Sequence, residues 1–142
     1  VAHYIRSLGL YRTKAKHVVA LSAALLAQHA GQVPPDQAAL EALPGVGRKT
    51  ANVVRAELWQ APTLAVDTHV LRVSRRLGLA RGTTPRAVEA ELLKIIPPAT
   101  RPRAHHWLIL HGRYVCKARQ PQCQTCPVRK LCPQHGVTPT GT

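Results

Sequence analysis

Leu43-Pro44-Gly45-Val46-Gly47-Arg48-Lys49-Thr50-Ala51-Asn52-Val53-Val54 is the stretch that decides the fold. Pro44 restricts φ and has no N–H to donate, so a helix arriving at Leu43 must stop there. Gly45 and Gly47 are expected to supply positive φ and to let a partner's backbone approach. From Arg48 the run RKTANVV reads as a new helix. The first N–H groups of a helix have no carbonyl partners, and behind a glycine turn they suit a phosphate. Lys49 stands in that first turn. Alone, a Gly-x-Gly would imply only a connection between packed helices, with Lys49 a solvated charge.

Toward the N-terminus, Asp36 is placed to cap a short helix, DQAALEAL, that ends at the hairpin. Gly31 to Pro35 is a break. Before it, residues 13–30 read as a long amphipathic helix with Thr13 as N-cap and Val18, Leu21, Leu25 and Gln28 on its inner stripe. Residues 1–12 read as a helix end closing at Gly9, then an exposed turn carrying Leu10 and Tyr11.

Toward the C-terminus, the hairpin's second helix runs to Trp59, with Ala51, Val54 and Leu58 on one face. Gln60-Ala61-Pro62 marks a lobe boundary, giving 1–61 and 62–142. Asp67-Thr68-His69 opens another helix, with Val70, Leu71, Ser74 and Leu77 inward, Arg72, Arg75 and Arg76 outward, and Gly78 closing it. Thr84-Pro85 starts a helix carrying Val88, Leu92 and Ile95. A last helix over about 103–114 leads into the cysteines. No strand pattern or repeat is found, so the class is all-α.

Twenty Lys and Arg against six Asp and Glu give a net charge of +14 on 142 residues, a balance that points to a polyanion as partner. The longest apolar stretch, Val18 to Ala27, is about half a membrane span, so a membrane is not expected. The chain has no Met and begins at Val1, and it is expected to be a processed product or part of a longer reading frame.

Cys116, Cys123, Cys126 and Cys132 follow the spacing C-x6-C-x2-C-x5-C. A helical, basic chain belongs in a reducing compartment, which favours metal ligation over disulfides. Spacing alone leaves structural zinc and a four-iron cluster both open, because each takes four thiolates.

LPGVGRKTANVV (43–54), VDTHVLRVSRRLGL (66–79) and this cysteine set together resemble the helix-hairpin-helix DNA glycosylases, and within them the bacterial endonuclease III family. The likeness runs from IRSLGLYRTKA to the last cysteine. It implies an all-α fold with a hairpin motif at about 36–59 and a 4Fe–4S loop at 116–132, and without the family's first helices. It implies Lys49 and Asp67 as the catalytic pair, on opposite lobes and facing one cleft. It assigns a 4Fe–4S cluster to the four cysteines, with zinc as the alternative. Leu10 falls on a wedge pushed into the DNA stack, although capping the preceding helix is the plainer role for it. Gly45, Val46, Gly47 and Arg48 fall on the hairpin's DNA contacts, and Lys117 and Arg119 on the loop's. Arg113, Arg129 and Lys130 extend that basic zone. His69, His105, His106 and His111 are read as surface or packing residues.

The resemblance therefore implies a base-excision enzyme, both DNA glycosylase and abasic-site lyase. Its partner would be damaged double-stranded DNA, with no membrane involved, and it would act as a monomer in the bacterial cytoplasm at the nucleoid. The alternatives are a DNA-binding fragment without turnover, or a zinc-stapled nucleic-acid protein. Lys49 separates the first alternative and metal content the second.

Overall fold

The computed structural model describes residues 1–137, and these form six α-helices and two short 3-10 turns, with no strand among them. The helices are α1 (Tyr11–His29), α2 (Gln37–Glu41), α3 (Arg48–Trp59), α4 (Thr68–Arg76), α5 (Pro85–Ile95) and α6 (Arg101–Tyr114). Two compact units divide within α3, the first covering Val1–Arg55 and the second beginning at Ala56.

In the first unit the core is Leu40, Leu43 and Ala51, with Leu21, Ala24, Leu25, Val46 and Val54 packed around them. Asp36 caps α2 as its side-chain chemistry predicts, its Oδ1 accepting from the Ala39 N–H at 2.9 Å. Arg55 ties α3 to the start of α2, donating to the Pro35 carbonyl and the Gln37 side chain, each at 3.1 Å. The N-terminal stretch departs from expectation. Residues 1–10 form isolated turns and no helix, so Gly9 closes nothing. Hydrogen bonds there are too few and too scattered to offset the cost of nucleating a helix. α1 begins at Tyr11, and the residue before it is Leu10, left-handed at φ 57° and 80% exposed, with no side-chain cap. Thr13 lies inside the helix and caps nothing. Of the expected stripe, Leu21 and Leu25 pack inward while Val18 and Gln28 are exposed.

In the second unit α4, α5 and α6 bury Leu64, Val66, Val70, Val73, Val88, Leu92 and Leu108. Thr84 caps α5 through the Ala87 N–H at 3.3 Å, followed by Pro85 in the first turn. Gly78, at φ +73°, ends α4, and the Leu79 N–H returns to the Ser74 carbonyl at 2.9 Å. Leu58 on α3 is exposed, contrary to expectation.

The α5 stripe also differs by one register step. Ile95 is 54% exposed, and Ile96 packs on the core in its place. Ile96 is the C-cap of α5, with an extended backbone at φ -97° and ψ 119°. That backbone carries its side chain off the helical register and onto the core that Val88 and Leu92 reach from within the helix. Leu92→Ala should therefore lower the urea midpoint by an amount worth about 2–5 kcal/mol. Ile95→Ala should change it by less than about 0.5 kcal/mol, and equal losses at both sites would contradict this packing.

Candidate metal centre and hairpin

α6 ends where the Cys116 N–H turns back onto the His111 carbonyl at 2.8 Å. From there the chain makes consecutive tight turns, with the Gln122 N–H on Val115 O at 3.0 Å and the Arg129 N–H on Cys126 O at 3.0 Å. Pro121, Pro127 and Pro133 suppress helix within this loop. Its apolar side chains do not make a core, and Leu131 points into solvent.

All four cysteines are free and half-buried, and they line one cavity together with Arg76, Leu77, His111 and Val115. Burial, and then the charges of Cys116, Cys126 and Cys132, push the Cys123 thiol above its usual range, with Arg76 opposing. Cys123 is thus near enough to the other three thiols to feel their charge, and a cationic cofactor would relieve that repulsion. Among the described residues, however, no three His, Cys, Asp or Glu side chains converge tightly enough to hold a single ion. A single zinc needs its sulfurs about 2.3 Å from one point. A cluster takes one thiolate per iron and accommodates a wider ring.

α4 holds this loop with two arginines. Arg76 donates to Lys117 O at 2.7 Å and to Ala118 O at 3.1 Å, and its Nη1 lies 3.6 Å from Cys116 Sγ. Arg72 donates to Gly112 O at 2.9 Å and Cys116 O at 3.2 Å. Both were expected to face outward with Arg75, and only Arg75 is fully exposed. Their i, i+4 spacing beside buried Val73 is the one trace in the sequence, and it reads equally as a solvated face. His111 was also missed as a neighbour of the thiols. Its Nε2 lies 3.8 Å from Cys126 Sγ, and burial holds its imidazole below the ordinary range.

At the N-terminus of α4, Asp67 is half-buried. Its Oδ1 accepts from the His69 and Val70 N–H groups at 2.8 and 2.9 Å, and Oδ2 has no partner among the described residues. The carboxylate is therefore held by one oxygen and presents the other. His69 packs beside Arg72, Nδ1 to Nη2 at 3.2 Å. His105 is buried against Ala65 O at 2.8 Å, and His106 meets Glu57 at 3.1 Å.

In the first unit, Lys49 is exposed in the first turn of α3, directly after the hairpin. The two glycines turn out to differ. Gly45 has φ +76°, and a Cβ there would come within 2.7 Å of the His17 Cβ. Gly47 has no positive φ, and a Cβ there would meet nothing within 4 Å. The fold therefore needs Gly45 but not Gly47. Val46 packs on the core, so it can offer a ligand only its backbone. Arg48 lies 3.9 Å from Glu41. Lys117 and Arg119 are exposed on the cysteine loop.

Residues 1–98 match the model of the HhH-GPD superfamily of base excision DNA repair proteins, and residues 116–132 match the iron–sulfur binding domain of endonuclease III. The chain belongs to the HhH-GPD superfamily. Within it, endonuclease III of Rickettsia conorii is 57% identical over 91% of this chain, and that of Escherichia coli K12 is 52% identical over 93%. A trapped endonuclease III–DNA covalent intermediate superposes with a TM-score of 0.89 at 49% identity over 94% of the chain. The chain spans 61% to 63% of the length of these three proteins. A 4Fe–4S cluster is the cofactor of the four-cysteine loop.

The purified protein should be brown, with absorbance at the blue edge of the visible that bleaches on oxidation. Cys123→Ser or Cys126→Ser should cost soluble protein, since the loop has no core to fall back on. Colourless, fully folded protein with one zinc per chain would overturn the cluster.

Proposed function

We propose that the chain is the catalytic part of a bifunctional DNA glycosylase and abasic-site lyase that removes oxidised pyrimidines from duplex DNA. It would act as a monomer on the DNA of a bacterial cytoplasm. The observation that carries this is the exposed Lys49 at the start of α3, in a chain whose relative forms a covalent intermediate with DNA. The target nucleotide is turned out of the stack before reaction. The neutral Lys49 amine attacks C1′, the bond from C1′ to the base breaks, and the base leaves with that electron pair and takes up a proton. Ring opening at the sugar yields an imine between C1′ and Nζ. The imine acidifies the 2′ proton. Its loss forms a C2′–C3′ double bond and expels the 3′ phosphate, which nicks the strand by β-elimination.

Asp67 supports this chemistry through its unpartnered Oδ2, which can stabilise positive charge on the sugar or carry a proton to and from the amine. Its Oδ1 is spent on the N-terminus of α4, and that fixes the carboxylate's orientation. Leu10 would enter the duplex as a wedge, and the hairpin backbone from Gly45 to Arg48 would meet phosphate. Lys117 and Arg119 would add charge from the cluster loop. The cluster's part is structural: when bound, it staples the loop that carries these two cations.

Gly47→Val should weaken duplex binding while leaving the melting temperature nearly unchanged, because only an incoming backbone needs that space. Gly45→Val should lose stability by more than about 1 kcal/mol, since a left-handed backbone disfavours any side chain. Equal thermal losses for the two variants would argue against a binding role for Gly47.

Borohydride should trap a covalent adduct between the protein and an abasic duplex. Lys49→Gln should abolish the adduct and keep most of the DNA affinity, as one of 20 basic residues contributes little of the phosphate attraction. Asp67→Asn should slow base release more than nicking of a preformed abasic site. An adduct that survives Lys49→Gln would sink the lyase assignment, and binding with neither trapping nor cleavage would favour a module without turnover.

A further inference from the structure

At the C-terminal end of α4 lies a cavity of about 560 Å³ lined by Arg72, Arg75, Arg76, Arg81 and His135, and no residue of the chemistry proposed above borders it. Its charges fall into two kinds. Arg72 and Arg76 are pinned by the backbone carbonyls of Gly112, Cys116, Lys117 and Ala118, so their positive charges are held in place. The Arg75 and Arg81 guanidinium groups are exposed and have no acceptor among the described residues. His135 is fixed by its own N–H on Arg76 O at 3.3 Å, and its ring stands over Gly78.

No carboxylate lines the cavity. Glu91 reaches Arg81, but it spends one oxygen on the Arg81 N–H at 2.7 Å and the other on the Gly82 N–H at 2.9 Å, which leaves the guanidinium unanswered. The helix dipole of α4 accounts for Arg75 and Arg76 in its last turn. It does not account for Arg81 or His135, which lie beyond the helix. Like charges gathered in a concavity repel one another, and a bound anion removes that cost. Two free guanidinium forks match the paired oxygens of a phosphate.

We propose that this cavity is a second phosphate pocket, and that its ligand is a backbone phosphate of the duplex beyond the nucleotide under attack. The choice of ligand rests on the function proposed above. The pocket is roughly 13 Å from Asp67 along α4, at 1.5 Å per residue, several nucleotides along a strand that carries one charge per ~3.4 Å of axis. A phosphate seated there would set the register of the flanking strand on the second unit.

The test uses cluster-loaded protein and the pair Arg75→Ala/Arg81→Ala, with Arg75→Lys/Arg81→Lys as control. Neither residue touches the proposed chemistry or holds another element. For undamaged duplex, the slope of log affinity against log salt should fall in the alanine pair by about 0.9 per lost contact. The lysine pair should restore it, with the helical circular dichroism of all three proteins alike. Inorganic phosphate, titrated by calorimetry, should bind the parent and not the alanine pair. An unchanged salt slope with phosphate binding lost would assign the pocket to a free anion and overturn the duplex as its source. If neither changes, the pocket itself is overturned. A parent that binds no duplex would refute the proposed function, and the phosphate titration would then decide the pocket on its own.

Discussion

Arg76 sends its guanidinium from α4 onto the carbonyls of Lys117 and Ala118, beside the Cys116 sulfur, and the second unit depends on that contact. The loop from Cys116 to Cys132 cannot bury enough apolar surface to order itself. Its turns are closed by proline and by single hydrogen bonds. Order has to come from outside, and it comes from two directions. The four half-buried thiols line the cavity that would hold the cluster, while Arg72 and Arg76 take up carbonyls that no helix or strand satisfies. The carbonyls that Arg72 takes up are part-buried, where an unmet backbone acceptor costs on the order of a kilocalorie, while the Arg76 bonds are exposed and tether the start of the loop to α4.

That contact also explains why α4 does so much. Its N-cap is Asp67, its middle packs Val70 and Val73 into the core, and its end grips the cysteine loop. A short rigid helix thereby links the carboxylate proposed for chemistry to the metal centre. Disorder in the loop would free Arg72 and Arg76 and slacken the same helix that orients Asp67. A cluster with no part in the reaction can still matter to it through this mechanical path.

Local chemistry was the part legible in the sequence. Asp36 and Thr84 cap through their side chains and Gly78 turns left-handed for want of one, as expected, because a cap or a left-handed turn is decided within a few residues. The hairpin and the cysteine set were legible for the same reason. What could not be read depends on distant partners. Arginines 72 and 76 carry the signature of a solvated face, and their acceptors lie about forty positions away in the chain. Ile95 and Ile96 are both apolar, and only the position of α6 and the rest of the core decides which is buried. Gly45 and Gly47 look alike in the sequence, yet His17 makes one obligatory and leaves the other open.

Leu10 holds a left-handed backbone and a bare apolar side chain together in the free protein. A leucine there costs roughly 1–2 kcal/mol relative to glycine in that conformation, and no neighbour compensates it by burial. Glycine would fit more comfortably, so on the proposed reading thermodynamic comfort and function select opposite residues at this position. Directed evolution for heat tolerance alone would tend to erase Leu10, and the variant it produced would be sturdier yet less able to open a duplex.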